Sequence, residues 1–394
     1  MALVSKVLKS DEANKEKTME KIKYTKRIGH VFEHVRDIQN IKAAIKNAAK
    51  RKTERDSVKR VLENIDYYAA QIQEMLDNET FIPCRYTIRE INDGITKKKR
   101  TIAIPRFYPD QCIHHAIIQV FAPIVEHSAY QYSCGCVPKK GTHYAKKSIE
   151  KWIEKDPQGT NKVLKLDISK CYPSIKHEEL RKKFNKRFKD QKFLRLIFRI
   201  IASYQQPMAS KGERLLPEAE AVGIPVGLYT SPWLCNFFLE DIDHEIKEKT
   251  GVKYYVRYVD DMVLFDSNKK KLHRILQWLR KRLEEIGLIV KRNWQVFKLN
   301  VRPLDFLGFK FYKGWTTIRK SIVLRIRRKA KRIGKMGYIS FENASAMISY
   351  MGWIFWSDSI YFWRRHVRPF VNVKKLKGVI RNENRIKLAS RCPV

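Results

Sequence analysis

The chain predicts an α+β fold, a sheet with helices packed on one face, and three stretches lead there. The first is KYYVRYVDDMVLFDS (253–267), two runs of aromatic and β-branched residues around a pair of aspartates, the pattern of a hairpin. The second is NKVLKLDISKCYPSI (161–175), a strand that reaches an acid and then enters a Pro-Ser turn. The third is the pair of helical segments that bracket the hairpin, SPWLCNFFLEDIDHEIKEK (231–249) and KKLHRILQWLRKRLEEIG (270–287).

The remaining elements follow in order. Residues 1–76 are polar, and HVFEHVRDIQNIKAAIKNAAKRK and RDSVKRVLENIDYYAAQIQEML repeat apolar residues at helical spacing. FIPCRYTIREIN and KRTIAIP alternate like two strands joined by DGITKKK, a turn with a basic run. PDQCIHHAIIQVFAPIVEHSA reads as a buried helix, and HEELRKKFNKRFKDQKFLRLIFRIIASY is helical. The turn-rich LPEAEAVGIPVG leads into the helix at 231, and two short strands lie in RPLDFLGFKFY. No repeat of solenoid period occurs.

At 394 residues, 44% hydrophobic and 11% aromatic, the chain is long and apolar enough for two or three folded domains. Its 81 Lys+Arg against 41 Asp+Glu leave a net charge of +40, which points to a polyanionic partner, nucleic acid above all. The surplus concentrates at the end: residues 316–394 hold 19 Lys+Arg against 3 acids, with Trp353, Phe355, Trp356, Tyr361, Phe362 and Trp363 interleaved. Such a segment is either a small helical core with a solvated face or a surface that tracks a nucleic-acid backbone; the charge asymmetry favours the second. The polar N-terminus and the lack of a long apolar run predict a soluble, cytoplasmic protein with no membrane partner. Seven scattered cysteines predict free thiols. Cys134-Gly-Cys136 with His143 lacks the second ligand pair that a zinc site normally brings, and reads as small residues packed in a loop.

Adjacent carboxylates repel, so Asp260-Asp261 at a hairpin tip is either a turn or one half of a cation site. Nucleotidyl transfer uses two divalent cations roughly 4 Å apart, and magnesium takes hard oxygen ligands carried by rigid strands. Asp167 ends the strand VLKLD, and if that strand neighbours the hairpin, three carboxylates converge.

The succession KLDISKCYPSI, GIPVGLYTSPWLCNFFL, YVRYVDDMVLF and FLGFKFY resembles the palm motifs of reverse transcriptases, over roughly residues 80–315. The resemblance implies a right-hand polymerase fold: a helical extension at 1–76, fingers at 77–160, a palm at 161–315 with a helical insertion near 176–222, and a basic helical thumb at 316–394. It implies two Mg²⁺ ions, with Mn²⁺ as a substitute, on Asp167, Asp260, Asp261 and the Ile168 carbonyl. Tyr172 falls on the gate that excludes a 2′-hydroxyl. Arg100, with Lys98 or Lys99, falls on the grip for the incoming triphosphate; Val226 and Gly227 fall beside the templating pair, where the glycine lets backbone approach closely. Arg325, Arg328, Lys331, Arg364 and Arg365 would follow the nucleic-acid backbone.

Two departures narrow the resemblance. Most relatives carry Gln before the glycine; Val226 is typical of enzymes from diversity-generating retroelements, which miscopy template adenines. KGTHYA (140–145) and GLIVKRNWQV (287–296) agree with that group, whereas Ser231-Pro232 follows ordinary reverse transcriptases. Trp-Gln-Val replaces the lysine that intron-encoded enzymes carry, which leaves the general acid open, with Lys291 a candidate. The implied partners are a template non-coding RNA, the cDNA/RNA duplex, dNTPs and a small basic accessory protein, and the setting that the resemblance implies is a bacterial or phage-infected cell. No RNase H or endonuclease motif is visible. An antiviral defence reverse transcriptase and a non-catalytic RNA-binding splicing cofactor are the alternatives.

Overall fold

The computed structural model describes residues 27–92, 99–205 and 220–389. Each of the two N-terminal helical stretches is broken once. Helix α1 (Val31–Arg36) stops at Asp37, whose backbone turns extended and whose carboxylate accepts the Gln39 and Asn40 N–H groups, capping α2 (Ile38–Ala49). Helices α3 (Asp56–Glu63) and α4 (Ile65–Asp77) part at Asn64. The buried stripe Ile41, Ala44, Ile45 and Ala48 of α2 turns inward, and Asn40 donates to the Ala116 carbonyl of α5 (Cys112–Ser128) at 3.1 Å.

Between them lie β1 (Thr87–Asn92) and β2 (Lys99–Ile104), an antiparallel hairpin standing as its own sheet, and a π-helical turn at Phe107–Gln111. The alternation from residue 81 overstates the first strand. Residues 81–86 carry no ladder, because Pro83 lacks an N–H and the Cys84 N–H donates instead to the Asp110 carboxylate, 2.8 Å away.

The main sheet runs β3 (Ser133–Cys134), β5 (Tyr254–Tyr258), β6 (Asp261–Asp266), β4 (Lys162–Ser169), β7 (Ile289–Val290), and β8 (Gln295–Lys298) also pairs with β4. All its pairings are antiparallel except β3 with β5. The Pro-Ser turn after β4 is one helical turn, α7 (Cys171–Ser174), followed by α8 (His177–Arg187) and α9 (Gln191–Ser203). Helices α10 (Ser231–Thr250) and α11 (Lys269–Glu285) flank the hairpin in sequence.

Alternation along the strands decides which core each residue joins. Leu164, Leu166, Ile168, Met262 and Leu264 pack into a large core with α10, α11, α5 and the N-terminal helices. Val163, Val256, Val263 and Phe265 join a second core made by α6 (Thr142–Lys155) and by Phe306, Phe309 and Phe311. The sheet is therefore covered on both faces rather than one. On the second face the covering stops short of the β4 end that carries Lys165 and Asp167, both partly exposed.

A three-stranded sheet of β9 (Leu304–Phe306), β10 (Phe309–Phe311) and β11 (Thr316–Ile318) bridges the sequence into the tail. Helices α12 (Lys320–Gly334), α13 (Phe341–Phe355), α14 (Ile360–His366) and α15 (Val373–Ala389) then build a third core from Ile322, Ile326, Met347, Met351 and Leu376. Trp353, Phe362 and Trp363 pack against it.

Candidate active site: three carboxylates at a hairpin tip

The antiparallel register places Asp167 directly opposite Asp261, and Asp261 opposite Tyr258. The Ile168 N–H donates to the Asp260 carbonyl at 3.2 Å, so the end of β4 is hydrogen-bonded to the hairpin tip itself. Because N–H and C=O of one strand residue face the same neighbour, the Ile168 carbonyl also faces the tip. Residues 94 positions apart in sequence, 261 − 167, are thus adjacent in one sheet.

The electrostatics fit a cation site. Burial, then the charges of Asp167 and Asp261, push the Asp260 carboxyl up to about 6. Asp261 is also raised, by burial and Asp167, while Lys165, Lys291 and Arg319 pull it down. Lys291 forms an ion pair with Asp167 Oδ2, and its N–H donates to the Asp167 carbonyl at 2.8 Å. The other carboxylate oxygen, Asp167 Oδ1, is buried and has no hydrogen-bond partner. An orphaned anionic oxygen beside two further carboxylates is costly unless a cation takes it. The hard oxygen donors of Asp167, Asp260, Asp261 and the Ile168 carbonyl suit a divalent ion of the magnesium class. Among the described residues no three acidic, histidine or cysteine side chains are already drawn into a metal cage, and the Lys291 ammonium holds one of the carboxylates.

The hairpin tip is held by a residue that the sequence reading passed over. Val259 has φ 58°, a left-handed conformation unfavourable for a β-branched side chain. Its N–H donates to the Cys134 carbonyl at 3.1 Å, and its carbonyl accepts from Arg257 Nη1 at 2.9 Å. Arg257 is fully buried, with Nε and Nη2 on the Asp243 carboxylate (2.8 and 2.6 Å), Nη2 also on Ser133 Oγ and Nη1 also on Asn236 Oδ1. Every guanidinium N–H group is committed, and the network fixes the turn that aims Asp260. The signal was present: an arginine inside the apolar run YYVRY needs a buried acid, and Asp243 of α10 supplies it.

The other expected contacts are placed as follows. Tyr172 lies on α7, partly buried, with burial, and then the nearby thiols, pushing its phenol well up. The Val226 carbonyl accepts the Ala103 N–H of β2 at 2.8 Å. Gly227 has φ 112°, and a Cβ there would stand 2.6 Å from the Ala103 carbonyl. Its freedom is thus used to bring the loop against the backbone of β2. The Ser231 hydroxyl donates to the Pro225 carbonyl at 2.7 Å while Pro232 sits in the first turn of α10, so Ser-Pro anchors the same loop. Arg100 is exposed on β2 opposite Ile91, and Lys99 lies 3.9 Å from Glu90; Lys98 lies outside the described residues. Arg328 and Lys331 are exposed on α12, with Arg325 half-buried, and Arg364 and Arg365 are exposed on α14; none of the five belongs to the carboxylate cluster.

A family model described as reverse transcriptase (RNA-dependent DNA polymerase) matches residues 91–311, more than half of the chain. The chain belongs to the reverse transcriptase family. Within that span fall all three aspartates, the Val226-Gly227 loop and Arg100 with its strand β2. The retron Ec73 reverse transcriptase of Escherichia coli is 21% identical over 225 residues, which is 55% of this chain and 68% of that protein. The group II intron-encoded protein LtrA of Lactococcus lactis is 27% identical over 173 residues, 44% of this chain and 27% of LtrA. A telomerase structure from Candida albicans, in complex with a fragment of telomeric RNA, superposes with a TM-score of 0.47 at 13% identity, covering 78% of this chain and 61% of that one. This reverse transcriptase therefore spans less than two-thirds of two of these three relatives. No helix among its described residues is long and apolar enough to cross a membrane.

Proposed function

We propose that the chain is an RNA-templated DNA polymerase that extends a 3′-hydroxyl with dNTPs. The observation that carries this reading is the register that sets Asp167 against Asp261, with Asp167 Oδ1 buried and unpartnered. Asp167, Asp260, Asp261 and the Ile168 carbonyl would hold two Mg²⁺ ions, or Mn²⁺ in their place. When bound, such ions supply Lewis-acid stabilisation of attacking and leaving oxygens.

The chain's own residues do the rest. Asp167 and Asp261 give two fixed carboxylates on paired strands, and the Arg257-clamped turn presents the third. Lys291, paired with Asp167, is the candidate proton donor to the departing pyrophosphate. Tyr172, on the helical turn that follows β4, is the candidate to stack under a sugar, where a ring would disfavour a 2′-hydroxyl. Arg100 on the hairpin opposite the palm is the candidate triphosphate grip, and the cations of α12 and α14 would neutralise backbone phosphates.

The test uses the full chain with its co-purified RNA, dNTPs and Mg²⁺. Asp260→Ala combined with Asp261→Ala is expected to abolish dNTP incorporation while RNA binding persists. Incorporation that survives the pair, or RNA binding that disappears with it, would refute the catalytic assignment.

Val226, KGTHYA and the Trp294-Gln295-Val296 stretch support a place among diversity-generating retroelements, making error-prone cDNA from a dedicated non-coding RNA with a small basic accessory protein. A second reading is an antiviral defence enzyme with the same palm. A template repeat beside a variable repeat in the neighbouring genome would decide for the first.

A further inference from the structure

Among the exposed aromatic side chains at and beyond the start of the tail, four belong together: Trp315 is 50% exposed, Phe355 57%, Trp356 39% and Tyr361 65%. They gather at one corner. Phe355 ends α13, Trp356 caps it, and Tyr361 lies in the first turn of α14. The bend between them is pinned to β11: the Asp358 N–H donates to the Thr316 carbonyl at 2.8 Å, and the Thr316 N–H to the Asp358 carboxylate at 2.7 Å. Trp315 directly precedes Thr316.

The rings are braced. Trp315 lies flat on Tyr312, centroids 4.0 Å apart and planes 10° apart, and Trp356 stacks on His143 at the start of α6 at 4.2 Å. Phe355 rests on Trp363 at 5.5 Å. A single exposed aromatic needs no explanation; a braced cluster exposing this much apolar surface does.

The surrounding charge selects the partner. Lys147 Nζ sits 4.8 Å from the Trp356 ring centre, and Arg365 lies 5.9 Å over Tyr361 while donating to its hydroxyl at 2.5 Å. The acid at the bend, Asp358, is committed to Thr316, so the rim is cationic. Flat rings among cations match unpaired bases on a phosphate backbone, since stacking needs an exposed base face and duplexes hide theirs. We propose that this corner binds an unpaired segment of RNA by stacking, outside the carboxylate site, as an anchor for the template. The choice of RNA rests on the polymerase reading above; the stacking surface does not.

The test compares the full chain with Trp315→Ala/Tyr361→Ala, and with Trp315→Phe/Tyr361→Phe as the conservative control. Binding is titrated with oligouridylate of about 12 nucleotides, with oligothymidylate of equal length and with a duplex RNA. The alanine pair is expected to lose about 10-fold or more in oligouridylate affinity, with duplex affinity within about twofold and an unchanged log-salt slope, because no cation is removed. The phenylalanine pair should restore most of the loss. Equal weakening on duplex, or no weakening, would overturn the proposal; a larger loss on oligothymidylate would overturn the choice of RNA. Unchanged RNA affinity with reduced self-association in sedimentation would assign the corner to protein contact and also overturn it. Melting temperature checks the fold, and primer extension by the same proteins reports separately on the polymerase reading.

Discussion

Asp260 carries two burdens, a place among carboxylates and a turn that must hold a strained valine beside it. Raised to about 6 by burial and by Asp167 and Asp261, it keeps its proton in mildly acidic solution. Cation affinity is therefore expected to climb as pH rises through about 6 and then level off, as isothermal titration with Mn²⁺ across that range would show. The linked stability change has the opposite sign. The cation-free folded protein holds a proton that the unfolded chain, with a carboxyl near its ordinary value, has already released. Stability is thus lost as pH rises from about 4 to about 6, and flat stability over that window would contradict the assignment. Arg257 is the second residue-scale test. Arg257→Ala strands the buried Asp243 carboxylate and the Val259 carbonyl, and should cost about 3–5 kcal/mol in denaturant unfolding. Arg257→Lys should recover little, because an ammonium cannot reach the acid, the amide and the turn carbonyl together.

At the scale of elements, what was legible in the sequence had a period and what was missed did not. The helices at 112–128, 231–250 and 269–285 and the 254–266 hairpin declare themselves through apolar spacing and through the Asp pair at the tip. Strands β3 and β7 have two residues each and carry no alternation to read, yet β3 and the loop behind it supply the Cys134 carbonyl that fixes Val259. The three aspartates were legible because KLD lies in a strand and YVDD joins two; Arg257, Lys165 and Arg319 were not, because their importance lies in what surrounds them. In the loop before α10, Gly227 is required by the Ala103 carbonyl, so the Val226 position is tied to β2. A substitution there is felt through a fixed backbone rather than through a floppy loop. Val226→Gln is accordingly expected to lower misincorporation opposite template adenines more than opposite the other bases, read by sequencing cDNA from one RNA. Errors that fall evenly across all four bases would remove this support for the retroelement reading.

For the whole molecule, the basic surplus and the separate tail core divide the labour. Helices α12–α15 hold themselves together with their own isoleucines and methionines, which frees their arginines and lysines to face a polyanion. The opposite holds at the front of the chain. Ile41, Ala44, Ile45, Val61, Ile72 and Leu76 belong to the same continuous core as Phe121, Phe184, Phe237 and the face of the main sheet formed by Leu164, Leu166 and Leu264. Deleting the helices through residue 76 would bare that apolar wall. The expected product is an aggregating or loosely ordered protein, seen as lost near-ultraviolet circular dichroism; a soluble, cooperative melt would contradict this. What looks on paper like a detachable leader is masonry shared with the sheet that carries the three aspartates, so a smaller folded protein cannot be obtained by trimming this end.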